Sequence, residues 1–180
     1  TSSYDKTCKI LSLKTGAVLR VFRGHESWVS GAVYSVDWSS IYSTSSDGTC
    51  RIWNVASGEC TKIVRPAFNA LSFIVPVQNS FLIGGSSTLL INSKGTIEQT
   101  LEMPSESQLL HCALSGRGDF FFGITSAFEL AVFDSCTGTR TWNQKISPSE
   151  LICIAVHPIS NVAVVASVEG KVYFFKTNAK

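Results

Sequence analysis

An internal repeat is the feature that most narrows the possible folds of this 180-residue chain. The stretch SYDKTCKIL at residues 3–11 matches SSDGTCRIW at residues 45–53, with every position offset by 42. The same offset takes Thr15-Gly16 to Ser57-Gly58. A period of about 40 residues is typical of units that contain four short strands each and stack on their neighbours. The sequence therefore predicts an all-β protein built from consecutive small sheets.

Weaker copies of the repeat continue through the chain. Turn glycines recur at Gly16, Gly58, Gly95 and Gly138, and a large apolar residue lies five positions before each: Leu11, Trp53, Leu90 and Phe133. We expect these four apolar residues to fill one buried position on one strand of each unit. In the most complete unit, residues 26–66, the pattern predicts strands over 29–35, 41–46, 49–55 and 59–65, separated by turns at Asp47-Gly48 and Ser57-Gly58.

Composition and charge exclude several classes of protein. Hydrophobic residues make up 44% of the chain and charged residues 16%, which excludes a disordered segment. The longest apolar runs, 151–156 and 162–166, are far shorter than the roughly 20 residues of a membrane helix, so we expect no membrane partner. The 15 basic residues nearly balance the 13 acidic ones. Without a concentrated basic stripe, little or no direct RNA contact is expected, although a mild basic excess in residues 1–25 leaves that segment open.

Gly24-His25 followed by Trp53-Asn54 resembles the G-H…W-D signature of WD40 repeats, with Asn in place of the usual Asp. The resemblance covers the whole chain and is strongest over residues 1–66. It implies a WD40 β-propeller, of which this chain would be the C-terminal portion, about four and a half blades of an expected seven. The chain would be a single partial propeller over 1–180, with repeats at approximately 1–25 (partial), 26–66, 67–104, 105–146 and 147–176 (three strands). Residue 1 is then expected to be an internal cut and residue 180 a natural end, with the upstream part of the domain closing the ring.

The same resemblance assigns a structural role to His25, Ser45, Asp47 and Trp53. It implies one hydrogen-bonded chain, running from the Trp indole through the Ser hydroxyl to the His and the Asp, which fixes the geometry of its blade. These residue types also occur in Ser-His-Asp catalytic sets. However, the sequence has no G-x-S-x-G pattern of a nucleophile elbow. We therefore expect no enzyme activity and no small-molecule substrate.

Four residues are candidate zinc ligands: His111, Cys112, Cys153 and His157. His111 and Cys153 align as one repeat position, Cys112 aligns with the apolar Ile154, and the sequence contains no C-x-x-C pair. This spacing favours ordinary strand positions over a metal site. The sequence also lacks a glycine-rich phosphate-binding pattern, so we expect no cofactor. The six cysteines do not form the dense framework of a secreted disulfide domain, which favours a reducing compartment.

Loops at one face of the predicted propeller carry the candidate protein-binding residues. These loops join the fourth strand of one blade to the first strand of the next, and the second strand to the third. The candidates are Tyr4, Glu26, Trp28, Phe68 and Phe128. Exposed Tyr and Trp are typical interface anchors, although each candidate could equally pack against its own loop. Trp38 belongs to a loop at the opposite face, and we expect it to pack locally.

Part of the chain resembles one narrower family, the Smu-type WD40 splicing factors. The similar stretches are 109–119, 132–138 and 154–158, the last followed by Glu169-Gly170, whereas Phe174-Phe175 replaces a Leu-Trp pair. The resemblance implies a nuclear, non-catalytic scaffold of the spliceosome that acts in pre-mRNA splicing before activation. Its partners would be the RED protein and other spliceosomal proteins. The alternative is a WD40 adaptor of another assembly, either a ubiquitin-ligase substrate receptor or a reader of histone or other peptides, and a cytoplasmic location is the second choice.

Overall fold

The computed structural model describes residues 1–67, 70–77, 80–85, 87–101, 107–146, 149–160 and 162–176. In these residues the chain forms five antiparallel sheets. The first sheet contains β1 (Thr7–Leu11) and β2 (Val18–Arg23). The second contains β3 (Val29–Tyr34), β4 (Ser40–Ser45), β5 (Cys50–Asn54) and β6 (Cys60–Val64). The third contains β7 (Leu71–Val77), β8 (Ser80–Gly85), β9 (Thr88–Asn92) and β10 (Ile97–Leu101).

The fourth sheet contains β11 (Leu109–Leu114), β12 (Phe120–Thr125), β13 (Glu129–Asp134) and β14 (Arg140–Lys145), and the fifth contains β15 (Leu151–Val156), β16 (Val162–Ser167) and β17 (Val172–Lys176). Within each sheet the strands pair in chain order, because short hairpin turns join each strand to the next. At the predicted turn Asp47-Gly48, Gly48 has a φ of 77°, a conformation that favours glycine. The described residues include no helix long and apolar enough to cross a lipid bilayer.

The hydrophobic core lies between the sheets. The described residues form four apolar clusters, one in each space between consecutive sheets. Between the second and third sheets, for example, the rings of Tyr42 and Phe81 stack with their centroids 3.9 Å apart. The first strands β3, β7, β11 and β15 contact one another in succession, so the sheets stack side by side. The third strands of the second, third and fourth sheets are covered on both faces, which explains why Cys50 through Trp53 are all buried without polar alternation.

The predicted buried position of the third strands needs two corrections. Trp53 and Phe133 fill it as expected. In the third sheet the buried residue is Ile91 instead of Leu90, because the turn from Asn92 to Gly95 is one residue shorter than the turn from Asn54 to Gly58. Leu11 is exposed, since it lies on the face of the first sheet that points away from the second.

The connections between strands lie at two opposite ends of the sheets. We call one end the upper face. It carries the connections from each sheet to the next and the hairpins that join the second strand of a sheet to the third. The loops with Tyr4, Glu26, Trp28 and Phe128 belong to this face. The loop between β3 and β4, which holds Trp38, lies at the other end.

Candidate functional site

A hydrogen-bonded chain of four side chains lies inside the second sheet. The indole Nε1–H of Trp53 donates to Ser43 Oγ at 2.8 Å, and Ser43 Oγ lies 2.7 Å from His25 Nε2. On the other side of the imidazole, Nδ1 lies 2.9 Å from Oδ2 of Asp47. The loop before β3 supplies His25, β4 supplies Ser43, the β4–β5 turn supplies Asp47 and β5 supplies Trp53. This hydrogen-bonded chain therefore ties two strands and two loops together.

The hydroxyl in this chain corrects the sequence prediction, which named Ser45. The Ser45 Oγ instead accepts a hydrogen bond from the backbone N–H of Asp47 at 3.1 Å and lies 3.3 Å from the carbonyl of Ser27. Residues 43 and 45 point to the same face of β4, so residue type could not discriminate between them. The strand register decides the choice: Trp53 pairs with Ile41, and its indole reaches diagonally to the next residue on that face, Ser43.

The protonation states follow from burial and from the hydrogen bonds. Burial lowers the pKa of His25 and outweighs the opposing effect of Asp47. A neutral ring with its proton on Nδ1 donates to Asp47 and leaves Nε2 to accept the Ser43 hydroxyl, so every polar atom of the chain has a partner. Burial also disfavours ionised Asp47, but hydrogen bonds from Thr49, the backbone of Glu26 and His25 outweigh it and lower the Asp47 pKa to about 2.

The geometry of this hydrogen-bonded chain suits a structural role and not catalysis. The His25 side chain is only 1% exposed, and Ser43 is completely buried. The imidazole contacts two hydroxyls, those of Ser43 and Thr49, and both residues are buried, so a substrate has no access to either. The hydrogen-bonded chain stabilises the second sheet, because each of its buried polar groups needs the next one as a hydrogen-bond partner.

The candidate zinc ligands do not assemble into a site. The described residues contain no group of three or more His, Cys, Asp or Glu side chains that could hold a metal ion. Burial raises the pKa of the Cys112 thiol, which disfavours the thiolate form that binds zinc. The Nδ1 atom of His157 instead accepts hydrogen bonds from the backbone N–H groups of Ile159 and Ser160, at 3.2 and 3.1 Å.

Two of the candidate binding residues meet at the upper face. The rings of Tyr4 and Trp28 contact each other, with centroids 4.5 Å apart and planes inclined by 50°. Both remain accessible: Tyr4 is 78% exposed and Trp28 is 42% exposed. Tyr4 lies in the loop before β1, whereas Trp28 lies in the connection from β2 to β3. The pair therefore spans two consecutive sheets.

Backbone hydrogen bonds fix the two loops that carry this pair. The N–H of Val29 donates to the carbonyl of Ser3 at 3.0 Å, and the N–H of Ser46 donates to the carbonyl of Trp28 at 3.1 Å. The exposed Glu26 lies in the same connection, and its own N–H donates to Asp47 of the buried chain at 2.9 Å. The polar chain below thus anchors the loop that presents Glu26 and Trp28.

The candidate Phe128 lies apart from this pair. Phe128 occupies the β12–β13 hairpin of the fourth sheet with a φ of 64°, and Lys145 Nζ lies 6.0 Å from its ring centroid. It is half-buried. Phe68 lies outside the described residues. The structure therefore brings Tyr4, Glu26 and Trp28 together and places Phe128 on a separate sheet.

Trp38 lies in the loop between β3 and β4, and the sequence predicts that it packs locally. It contacts Tyr34, with ring centroids 4.9 Å apart, yet 68% of its surface is accessible. Its φ of 61° is a left-handed conformation that is rare for bulky residues. Its repeat equivalent in the fourth sheet is Gly118, also at positive φ, and this glycine is the sequence signal that could have placed Trp38 at the tip of a turn.

Comparison with known proteins agrees with this architecture. Residues 16–54 match the family described as "WD domain, G-beta repeat". The crystal structure of the Cps50 (Swd1) β-propeller domain of Myceliophteria thermophila is similar over 96% of this chain and 60% of that chain, with a TM-score of 0.83 and 16% sequence identity. The chain thus carries a WD40 repeat and has the fold of a β-propeller segment.

Similar sequences come from several kinds of protein. The WD40 repeat-containing protein smu1 of Dictyostelium discoideum is 27% identical over 171 residues, which are 89% of this chain and 32% of the relative. Pre-mRNA-processing factor 19 of Mus musculus is 29% identical over 40% of this chain and 14% of its own length. Nuclear distribution protein PAC1 of Arthroderma benhamiae is 35% identical over 42% of this chain and 17% of its own length. The chain spans about a third or less of each of these relatives.

Proposed function

We propose that this WD40 propeller segment is a protein-interaction scaffold whose docking anchor is the Tyr4–Trp28 pair. One observation carries the proposal: two exposed aromatic rings from consecutive sheets touch at the upper face while backbone hydrogen bonds hold both of their loops. Tyr and Trp provide large apolar contact area with a polar tip, and they lose little conformational entropy on binding. Glu26 adds a carboxylate to the same loop, so the surface offers apolar contact and a charge side by side.

Because its loops are preformed, such a scaffold offers partners a fixed binding surface. A partner that binds a fixed surface does not have to order it, and less of the interaction energy is lost. The stacked sheets present their upper loops at set distances from one another, so one molecule holds several protein segments in register. No chemical step is needed, and the buried polar chain contributes by keeping the loop with Trp28 in place.

We further propose that the assembly is the spliceosome, with a nuclear location and a RED-type protein among the partners. Support comes from the stretches 109–119, 132–138 and 154–158, which resemble the Smu-type splicing factors. The relative named smu1 covers 89% of the chain, and another relative is named as a pre-mRNA-processing factor. The role that fits is a scaffold acting before the spliceosome is activated.

A WD40 adaptor of another assembly is the second candidate function. The observation that favours it is the similarity to nuclear distribution protein PAC1, which exceeds the similarity to smu1 in percentage identity over a shorter stretch. Such an adaptor would use the same Tyr4–Trp28 pair and would bind a different set of proteins.

Affinity purification from nuclear extract, followed by mass spectrometry, tests both levels of the proposal. The tagged protein is compared with the Trp28→Ala variant and with Trp142→Ala as a matched control, because Trp142 is 43% exposed but lies on the outer strand β14. We expect RED-type and other splicing proteins with the unmodified protein and with Trp142→Ala, and a loss of about tenfold or more with Trp28→Ala. Partners unrelated to splicing would overturn the assignment to the spliceosome. Equal recovery of partners with both variants would overturn the assignment of the docking site to the Tyr4–Trp28 pair.

A further inference from the structure

A groove of about 470 Å³ opens between the second and third sheets at their lower end, which is the end opposite the upper face. The stacked rings of Tyr42 and Phe81 form its floor, and the Tyr42 hydroxyl donates to the carbonyl of Ser93 at 2.7 Å. The β3–β4 turn, residues 35–39, forms one wall, and Ser93 of the third sheet lies across from it. We call this feature the lower groove. It combines an apolar floor with a polar rim.

Among the described residues that line the lower groove, Asp37 alone carries a charge. Its Oδ1 accepts hydrogen bonds from the Ser35 hydroxyl and the Ser39 N–H, at 2.6 and 3.1 Å, and its Oδ2 accepts one from the Ser39 hydroxyl at 2.8 Å. A carboxylate offers about four acceptor positions, so Oδ2 keeps one for a ligand. These hydrogen bonds lower the pKa of Asp37, which keeps the carboxylate ionised. The groove therefore presents a negative charge in a fixed orientation.

The lysines of the neighbouring elements do not neutralise this carboxylate. Lys62 and Lys94 meet at the β9–β10 turn, where Lys62 Nζ donates to the Lys94 carbonyl at 2.7 Å. Neither lysine lines the lower groove. Within the part of the chain that the structure describes, neither forms an ion pair with Asp37. Charge complementarity therefore favours a positively charged occupant.

An aromatic ring stands beside the carboxylate. Trp38 lies between Asp37 and Ser39, which both line the lower groove, and its ring is largely open to solvent apart from its contact with Tyr34. Its left-handed backbone is unfavourable for a bulky residue, and the fourth sheet has Gly118 at the corresponding position. The fold gains little burial from Trp38 in return. The strain therefore points to a role of this ring in binding.

We propose that the lower groove and Trp38 bind an arginine side chain from a basic segment of a partner protein. The guanidinium pairs with Asp37 and lies against the face of the Trp38 ring, a combination that suits its planar shape better than a lysine ammonium. The aliphatic part of the arginine packs on Val36, which lines the groove and is exposed. This site lies at the opposite end of the sheets from the Tyr4–Trp28 pair and does not depend on which assembly the protein serves.

Fluorescence anisotropy with the purified protein tests the proposal. The probe is a short labelled peptide of alternating Arg and Ser, and the control peptides carry Lys or Gln in place of Arg. We expect the Arg peptide to bind, the Lys peptide to bind more weakly, the Gln peptide to fail, and added salt to weaken binding. Asp37→Asn should lower the affinity for the Arg peptide by about tenfold or more. The matched control Asp119→Asn removes an exposed carboxylate from the corresponding turn of the fourth sheet and should bind like the unmodified protein.

A second variant separates binding from folding. Trp38→Gly relieves the left-handed strain, so it should keep the melting temperature of the unmodified protein while its affinity for the Arg peptide falls about threefold or more. This variant also keeps the proposal testable if Asp37→Asn loosens its turn and does not fold.

Several outcomes of these measurements would overturn the proposal. Equal binding of the Arg and Gln peptides would remove the role of charge, and unchanged affinity in either folded variant would remove the lower groove as the site. Equal or tighter binding of the Lys peptide would overturn the choice of arginine. Loss of the Arg peptide in Trp28→Ala, with Asp37→Asn unaffected, would place the binding at the upper face instead.

Discussion

At the scale of single residues, Ser43 is the most sensitive position of the polar chain, because one hydroxyl contacts both Trp53 Nε1 and His25 Nε2. The change Ser43→Ala removes this bridge and leaves two buried polar atoms without partners. We expect the free energy of unfolding to fall by about 1–3 kcal/mol. Urea denaturation of the variant and of Ser39→Ala, which alters an exposed turn, measures the difference.

The neighbouring serine provides the control for this assignment. Double-mutant cycles that combine His25→Ala with Ser43→Ala or with Ser45→Ala report how strongly each serine is coupled to the imidazole. We expect a coupling of about 0.5–3 kcal/mol for Ser43 and a clearly smaller value for Ser45. Similar coupling energies for the two serines would contradict the structure, in which Ser43 and not Ser45 is hydrogen-bonded to the imidazole.

The pKa shift of His25 makes stability depend on pH. Because burial lowers the folded-state pKa of His25 below 6.5, the unfolded chain binds more protons at mildly acidic pH. Stability should therefore fall as the pH is lowered from 7 to 5, and His111, whose pKa burial also lowers, should add to the fall. Denaturation curves at several pH values should show a smaller fall for His25→Gln than for His157→Gln, which changes an exposed residue. Equal falls in stability for the two variants would rule out His25 as a source of the pH dependence.

At the scale of strands, each first strand of the second to fifth sheets has a register shift near its start. In the second and third sheets the residue after the shift pairs with a residue of complementary size on the second strand: Gly31 with Thr44, and Phe73 with Gly84. A Cβ on Gly84 would overlap the ring of Phe73, which is buried between the third and fourth sheets. The glycine and the aromatic ring therefore require each other.

This pairing gives a test by compensation. Gly84→Ala should destabilise the protein by about 1–3 kcal/mol, since the packed ring has little room to move. In a Phe73→Leu background the same alanine should cost less, because the smaller side chain leaves the added methyl group space. Equal costs in the two backgrounds, measured by urea denaturation, would show that ring and glycine are not coupled.

The strands also show how far the sequence determines the structure. In the second sheet the predicted strands agree with the observed ones to within one residue at each end, because turn residues and β-branched runs mark local boundaries. Properties that depend on register were harder to predict. A one-residue difference in turn length moved the buried position from Leu90 to Ile91, and strand register selected Ser43 over Ser45. The contact of Tyr4 with Trp28 joins two sheets, so no local pattern could predict it.

At the scale of the whole molecule, the stacking of sheets divides the hydrophobic core into separate layers. The second, third and fourth sheets each lie between two apolar clusters, whereas within the described residues the first and fifth sheets contribute to one cluster each. Side chains such as Val18 on β2 and Phe174 on β17 are largely exposed. In such a stack, the free energy of unfolding is approximately a sum of one contribution from each sheet and one from each interface between neighbouring sheets. The 180-residue chain should therefore open from its two ends.

Amide hydrogen exchange of this chain, followed by mass spectrometry of its peptides, tests that expectation. Strands β5, β9 and β13 are paired on both edges and covered on both faces, so their amides should exchange only through extensive unfolding. Strands β1, β2 and β17 should exchange about tenfold faster or more, because losing one interface releases them. The Ile83→Ala variant, which weakens the cluster between the second and third sheets, should raise exchange in both of those sheets before it affects the fifth. Uniform protection across all five sheets would instead mean that they unfold as one cooperative unit, and the layered core would then not set the order of opening.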